Sequence, residues 1–201
     1  YGFLSENAEF AQACSHAGLV FIGPPPEAIT IMGNKNEAKS CMEAAGIPVI
    51  PGYLGEDQST KAFTKAAKKI GYPILLKAAA GGGGKGMRLV EDPKNMAAAI
   101  ESARREAQSS FSDDRLFIEK YLSNSRHVEL QVFSDTHHNH VHLFDRDCSI
   151  QRRHQKIIEE APAPYLTEKT KRAMQKTALE ILTTIEYHGA GTIEFLVDEQ
   201  E

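Results

Sequence analysis

The stretch from residue 72 to residue 90 reads YPILLKAAAGGGGKGMRLV. An apolar run builds to Lys77, is broken by Gly81-Gly82-Gly83-Gly84-Lys85-Gly86, and resumes as GMRLV. Two short apolar runs separated by turn residues predict the strands of a hairpin, with the glycines as its loop. Glycine has no Cβ and adopts positive φ at no steric cost, so such a loop lets backbone N–H groups approach an anion closely. Phosphate is the anion that fits, and Lys77 at the end of the first strand adds a fixed positive charge. Two familiar phosphate loops are excluded. The run is not GxxxxGK[ST], lacks the hydroxyl that would hold magnesium, and is followed by a strand rather than a helix. Nor is it GxGxxG opening a helix. The pattern predicts a lid over phosphates; the alternative, a plain surface hairpin tip, is disfavoured by the lysine at each end.

The remainder of the chain alternates in the same way. Phe10, Ala11, Cys14 and Ala17 have helical spacing, predicting a helix over 6–17 that Gly18 stops. LVFIG after it reads as a short buried strand running into PPPEAITIMG. Further helices are predicted over 34–45, with Asn34 as N-cap, and over 60–70, 95–109 and 168–184. IPVIPGY, RLFIEKYL, HVELQVFSD, VHLFDRD, SIQRRHQK and GAGTIEFLVD read as strands. Helices mixed with hairpins indicate an α+β fold rather than a purely parallel sheet. The 201 residues, 41% hydrophobic and 25% charged, suffice for one large or two small cores. A net charge of −4 with both signs interspersed supplies no broad basic face, so nucleic acid is not an expected partner. No apolar run approaches the roughly twenty residues of a membrane span, so no membrane partner is expected. Cys14, Cys41 and Cys148 are odd in number and form no CxxC pattern, which argues against a disulfide framework and a zinc site and for a reducing compartment. The opening YGFLSENAEF has no initiator Met and reads as an internal piece of something longer.

Several polar residues stand where an ordinary core has no use for them. As one strand, SIQRRHQK sends Gln151, Arg153 and Gln155 to one face and Arg152, His154 and Lys156 to the other. Charge on both faces requires a ligand or water. Glu194 lies between Ile193 and Phe195 in an otherwise apolar strand, where a carboxylate is costly unless it is metal-bound or in a buried salt bridge. His137, His138, His140 and His142 look like a metal tract, but they fall at a hairpin tip where Asn139 suits the turn, and no metal role is expected of them. Cys148 lies near His154 in sequence, yet a small buried cysteine is commoner than a nucleophile.

MGNK, YPILLKAAAGGGGKGM, FIEKYL, RHVELQV, RDCSIQRRHQKIIEEAPAP and GAGTIEF, in that order along the chain, resemble the biotin carboxylase component of the biotin-dependent carboxylases, in the ATP-grasp superfamily. Within that family, GYLGEDQS, ESARREA and IIEEAPAP are most similar to the biotin-carrying (alpha) subunits of methylcrotonoyl-CoA carboxylases, although propionyl-CoA, acetyl-CoA and pyruvate carboxylases share the core. The resemblance implies an ATP-grasp fold in which residues 1–32 are the tail of an N-terminal Rossmann-like domain. Residues 33–48 would be a connecting helix, 49–121 the lid subdomain, and 122–201 a truncated central subdomain. It implies a ligase in which ATP and bicarbonate give carboxyphosphate and ADP, and the carboxyl group passes to N1′ of biotin. The implied cofactors are ATP, Mg²⁺ or Mn²⁺, and biotin on a carrier domain outside this chain.

Carried onto this sequence, the resemblance puts Lys35, Lys77, Gly81, Gly82, Gly83 and Gly84 on the ATP phosphates. Glu119, the backbone of Lys120, and Leu122 would edge the adenine, with Met87 packing on its face. His127, Gln151 and His154 would contact ribose and phosphates, and Glu194 would bind the metal. Lys156 would hold bicarbonate and the transferring phosphoryl group, with Glu129 as a polar partner. A second metal-binding Glu, an Asn, an Arg and a general-base Glu are expected beyond residue 201, so the 201 residues alone are expected to be inactive. The implied partners are bicarbonate, the biotin carrier domain and a carboxyltransferase (beta) subunit, in a large oligomer. The implied compartment is the mitochondrial matrix, or the cytoplasm for a bacterial chain. Two other readings remain open: an ATP-grasp ligase of the carbamoyl phosphate synthetase kind, and a nucleotide-binding module without catalysis.

Overall fold

The computed structural model describes residues 2, 4–80, 86–152 and 155–198, apart from the side chains of Lys35 and Asn36. In chain order the elements are α1 (Ala8–His16), α2 (Pro26–Gly33), α3 (Lys35–Ala44), β1 (Gly52–Tyr53), α4 (Thr60–Ile70), β2 (Ile74–Ala78), β3 (Arg88–Val90), α5 (Met96–Phe111), β4 (Leu116–Lys120), β5 (Ser125–Ser134), β6 (His140–Arg152), β7 (Gln155–Glu160), α6 (Glu168–Thr184) and β8 (Gly189–Asp198). The mixture is α+β, as the sequence predicts. No helix among the described residues is long and apolar enough to cross a membrane.

The chain forms two compact units, one of them Ile50–Asn124 with Gln151–Gln155. Its sheet has the order β1-β4-β2-β3, and β2 runs antiparallel to both neighbours. Ile74, Leu76 and Ala78 alternate inward and meet Phe63 and Ala67 of α4 and Met96, Ile100, Ala103 and Ala107 of α5. Each large side chain so buried contributes about 1.5–3 kcal/mol relative to exposure. Ser59 starts α4 by accepting the Ala62 N–H, and Gly71 ends it at φ 85°. The expected hairpin is present, with Ile74 opposite Val90 and Leu76 opposite Arg88. Its loop residues 81–85 lie outside the described residues. Gly86 closes the hairpin at φ 70°, where a Cβ would come within 2.9 Å of the Ala78 Cβ.

The second unit comprises Tyr1–Val49, Ser125–Ile150 and Lys156–Glu201. Its sheet has the order β7-β6-β5-β8, and β5 pairs with β8 from Ser125 opposite Asp198 to Ser134 opposite Gly189. Thr167 caps α6 by accepting the Thr170 N–H. The helix lays Met174, Ala178 and Leu182 on Val128, Leu130 and Val132, flanked by Ile193, Phe195 and Val197 of β8. Because strand side chains alternate, the residues between these must project from the other face of the sheet. A smaller cluster of Ala28, Met42, Ile47 and Ile185 holds α2 and α3 to the same unit.

Three expectations fail. LVFIG is not a strand: Val20 and Ile22 are 90% and 95% exposed and pair with no neighbour among the described residues. SIQRRHQK is not one strand either, since Ser149 to Arg152 finish β6 while Gln155 and Lys156 open β7, its neighbour in the sheet. The two-faced alternation expected for residues 151–156 is therefore not that of a single strand. IPVIPGY contributes only Gly52–Tyr53, because proline lacks the N–H that a ladder needs.

Candidate functional site

Beneath the α6 core, β5 presents His127, Glu129 and Gln131 on the face opposite Val128, Leu130 and Val132. Cross-strand register puts Arg146 of β6 on one side of Glu129 and Glu194 of β8 on the other. Glu129 is only 3% exposed. Its Oε1 accepts from Arg146 Nε at 2.7 Å, and its Oε2 accepts from Lys156 Nζ. Lys156 also donates to Glu194 Oε1 at 2.7 Å, and His127 Nε2 lies 3.4 Å from that same oxygen. An ion-pair chain thus runs from Arg146 through Glu129 and Lys156 to Glu194, with the His127 ring beside its far end.

The electrostatics fix the charge states. Burial pushes the Glu129 carboxyl up, but hydrogen bonds from Lys156 and Arg146 outweigh it and hold the group below its ordinary value. Burial pushes Lys156 down, yet Glu129 and Glu194 together raise it well above a free lysine. Burial raises the Cys148 thiol, which makes it a poorer thiolate and fits the structural reading of that cysteine.

Glu194 is not the buried carboxylate that its apolar neighbours in sequence predict. β8 alternates, with Ile193, Phe195 and Val197 toward α6, so Glu194 projects from the open face with a side chain 52% exposed. Its carboxylate is ion-paired without being buried. Imidazole and carboxylate atoms of His127, Glu129 and Glu194 lie within 4.8 Å of one another, close enough to share an ion. Glu194 suits Mg²⁺ or Mn²⁺ best, since it is an accessible oxygen donor and such ions take one or two carboxylates beside phosphate and water. Glu129 is already shared between two cations. The structure places no histidine of the 137–142 tract in a metal-type cluster among the described residues. His138 instead sits at φ 62° in the turn, and Asn139 bonds Asp135.

In the other unit, Lys77 Nζ meets Glu119 Oε2 at 2.5 Å, with side chains 29% and 18% exposed. The same ammonium lies 5.8 Å from the centre of the Phe117 ring. Lys120 turns its ammonium to the Gly71 and Tyr72 carbonyls, and its backbone N–H donates to Pro51 O at 2.8 Å. Met87, Leu122 and Gln151 are half-buried. Lys35 is the first residue of α3, as an N-capped start at Asn34 predicts: Asn34 Oδ1 accepts the Glu37 N–H, and Glu37 accepts from Asn34 Nδ2. The Lys35 side chain, Gly81 to Gly84 and His154 fall outside what the structure describes. Arg146 was not singled out from sequence. Its signal was faint: a charged residue on an alternating strand whose partner is 17 positions away.

Each unit thus holds a lysine ion-paired to glutamate on a sheet: Lys156 with Glu129 and Glu194 in one, and Lys77 with Glu119 in the other. Residues 34–201 match the family described as carbamoyl-phosphate synthase L chain, ATP binding domain, and residues 1–29 match that described as biotin carboxylase, N-terminal domain. The chain belongs to this ATP-grasp family and, within it, to the biotin carboxylases. It is 56% identical over 197 residues to the mitochondrial methylcrotonoyl-CoA carboxylase subunit alpha of Dictyostelium discoideum, covering 98% of this chain and 28% of that protein. Among solved structures, a biotin carboxylase–beta-gamma-ATP complex from Campylobacter jejuni superposes with a TM-score of 0.90 at 51% identity, covering 100% of this chain and 45% of that one. The biotin carboxylase domain of Hydrogenobacter thermophilus 2-oxoglutarate carboxylase, solved with MgADP, ADP and bicarbonate, gives 0.89 at 42% identity over 100% of this chain and 44% of that one. The chain therefore spans less than half the length of the proteins it matches.

Proposed function

We propose that this chain supplies part of the ATP and bicarbonate site of a biotin carboxylase. In that reaction ATP phosphorylates bicarbonate to carboxyphosphate, and the carboxyl group then passes to N1′ of biotin. The observation that carries the reading is Lys156, a cation fixed by Glu129 and Glu194 on the open face of a sheet. Its raised pKa keeps it protonated at neutral pH, so it holds an anion and does not act as a base. Glu129, held ionised, orients Lys156 and takes no proton. Bicarbonate and the transferring phosphoryl group are the anions we assign to Lys156. Such positioned charge accounts for most of phosphoryl-transfer catalysis.

Lys35, Lys77 and Gly81 to Gly84 receive the ATP phosphates in this reading. Glu119, the Lys120 backbone, Leu122 and Met87 enclose the adenine, and His127, Gln151 and His154 face ribose and phosphates. Bound Mg²⁺ or Mn²⁺ would neutralise phosphate charge, with Glu194 as the residue to hold it. Residues 49–121 serve as the lid, 122–201 belong to the central subdomain, 33–48 connect, and 1–32 end a Rossmann-like domain. We assign the complete protein to the alpha subunits of methylcrotonoyl-CoA carboxylase, a reading supported by relatives named as mitochondrial alpha subunits of that enzyme. The matrix, a biotin carrier domain, a carboxyltransferase beta subunit and a large oligomer are the setting that this assignment implies.

The test is ATP cleavage by the complete protein that carries this sequence. Cleavage that needs both bicarbonate and biotin is the expected result. Cleavage that needs bicarbonate but ignores biotin supports a carbamoyl phosphate synthetase-like ligase instead, and nucleotide binding without cleavage supports a binding module. Transfer to methylcrotonoyl-CoA in preference to propionyl-CoA, with the carboxyltransferase subunit present, decides the acceptor.

A further inference from the structure

Arg146 stands opposite Glu129 on β6, and no role assigned above uses it. Its guanidinium touches two side chains of β5. Nε donates to Glu129 Oε1 at 2.7 Å, Nη2 lies 2.6 Å from that oxygen, and Nη1 and Nη2 both donate to Gln131 Oε1 at 3.2 Å. Glu159 Oε2 lies 4.0 Å from Nε. Gln131 is itself anchored, because its Nε2 donates to the Gly191 carbonyl of β8 at 2.8 Å. The planar guanidinium is thus held along two edges, which an ammonium could not reproduce.

The consequence falls on Glu129. A carboxylate facing only Lys156 could rotate and offer either oxygen. With Arg146 fixed on Oε1, only Oε2 remains for Lys156, and the ammonium is led from there to Glu194. We infer that Arg146 is a positioning residue: through Glu129 it sets where the Lys156 ammonium stands, and hence where the anion facing Lys156 is held. The inference rests on the reading of Lys156 as the bicarbonate-facing cation. A mere brace between β5 and β6 would change stability without favouring one substrate over another.

Steady-state kinetics on the complete protein separate the two roles. Arg146→Met should raise the KM for bicarbonate about tenfold or more, as expected when a charged partner is lost from a buried network. The Kd for ATP, measured calorimetrically without turnover, should change by less than about twofold. Arg146→Lys, which keeps the charge but not the fork, should raise the bicarbonate KM by only about threefold. In a Glu129→Gln background, Arg146→Met should add little, since the residue through which it acts is already altered. Equal effects on bicarbonate and ATP, or full additivity with Glu129→Gln, overturn the inference. If Arg146→Met does not fold, Arg146→Lys decides: an unchanged bicarbonate KM overturns it. Wild-type protein without bicarbonate- and biotin-dependent ATP cleavage overturns the functional reading and this inference together. An active wild type whose Arg146 variants match it overturns the inference alone.

Discussion

Lys77 and Lys156 each stand on an antiparallel sheet and each meet a glutamate, yet they are held differently. Among the described residues Lys77 has one carboxylate partner, Glu119, and both are partly open to solvent. Lys156 has two, and one of them is a 3%-exposed Glu129 that Arg146 also grips. The reason lies in the ladders. β5 is paired along its length with β8 and also with β6, so Glu129 has a charged neighbour on both sides. On β2, the recorded pairing with β3 ends at Leu76 opposite Arg88, and the residue opposite Lys77 on β4 is the uncharged Phe117, so its ion-pair partner among the described residues is the diagonal Glu119. A single pair near the surface is worth at most about 1 kcal/mol, so a phosphate can compete for Lys77. A lysine inside a partly buried network is not exchanged so cheaply, because its loss leaves a carboxylate under-compensated. The contrast suits a cation recruited by a ligand in one unit and a cation kept in place in the other.

The largest effect expected from this contrast is at Lys156. Lys156→Met should lower the turnover of bicarbonate-dependent ATP cleavage about 10²- to 10³-fold, the scale of deleting one group that stabilises developing charge. It should also destabilise the fold by about 3 kcal/mol if Glu129 stays ionised with one partner. Paired measurements of kcat and denaturant midpoint read both. A turnover loss without any stability loss would show that the network around Glu129 does not depend on its lysine.

Lys77→Met is the matched change and should act in the opposite proportion. Loss of a charge-assisted contact should weaken ATP binding by about 1.5–3 kcal/mol, or roughly ten- to a hundredfold. Stability should move by less than about 1 kcal/mol, as for other exposed pairs. Calorimetric titration with ATP beside thermal melting decides it. A large drop in melting temperature would mean that Lys77 and Glu119 are a structural pair like Lys156 and Glu129, and the contrast would collapse.

How far the sequence foretold this arrangement varied by element. Helices α4 and α6 start and stop as predicted, because Ser59 and Thr167 carry local capping signals and apolar periodicity runs between them. The strand from Gly189 to Asp198 was likewise readable, but the face of Glu194 was not. Leu196, 44% exposed beside it, made the strand look apolar on both sides. The division of SIQRRHQK between β6 and β7 is marked by no Gly, Pro or Asn, so nothing local announced it. LVFIG has strand composition but pairs with no strand among the described residues, a condition set by tertiary structure. The lysines stand out in the sequence because each sits in a local motif. Arg146 was not, because its meaning comes only from register against β5.

The smallest effect belongs to a third pair, one that has the single cation of the Lys77 case and the burial of the Lys156 case. Asp147 of β6 accepts from Arg126 Nη1 at 2.9 Å and from the Ser149 N–H at 2.9 Å, with its side chain only 9% exposed. Burial pushes its carboxyl up, but the Ser149 and Arg126 hydrogen bonds outweigh that and leave it below the ordinary aspartate range. A carboxyl lowered in the folded state contributes stability that is fully present above its unfolded value, about pH 3.9, and is lost as pH falls through the lowered folded value. Arg126→Met should therefore destabilise at pH 7 by about 1 kcal/mol, the net worth of one such contact. The gap between variant and wild type should begin to narrow as pH falls below about 4 and close only below the lowered folded value, where Asp147 is protonated in both. Arg126 also stacks on Tyr165, its guanidinium carbon 4.9 Å from the ring centre, and that packing does not titrate in this range. Denaturant midpoints measured from pH 7 to pH 3 separate the two contributions. A gap that persists unchanged at pH 3 assigns Arg126 to the ring, leaving burial alone insufficient to make a single ion pair behave like the network around Lys156.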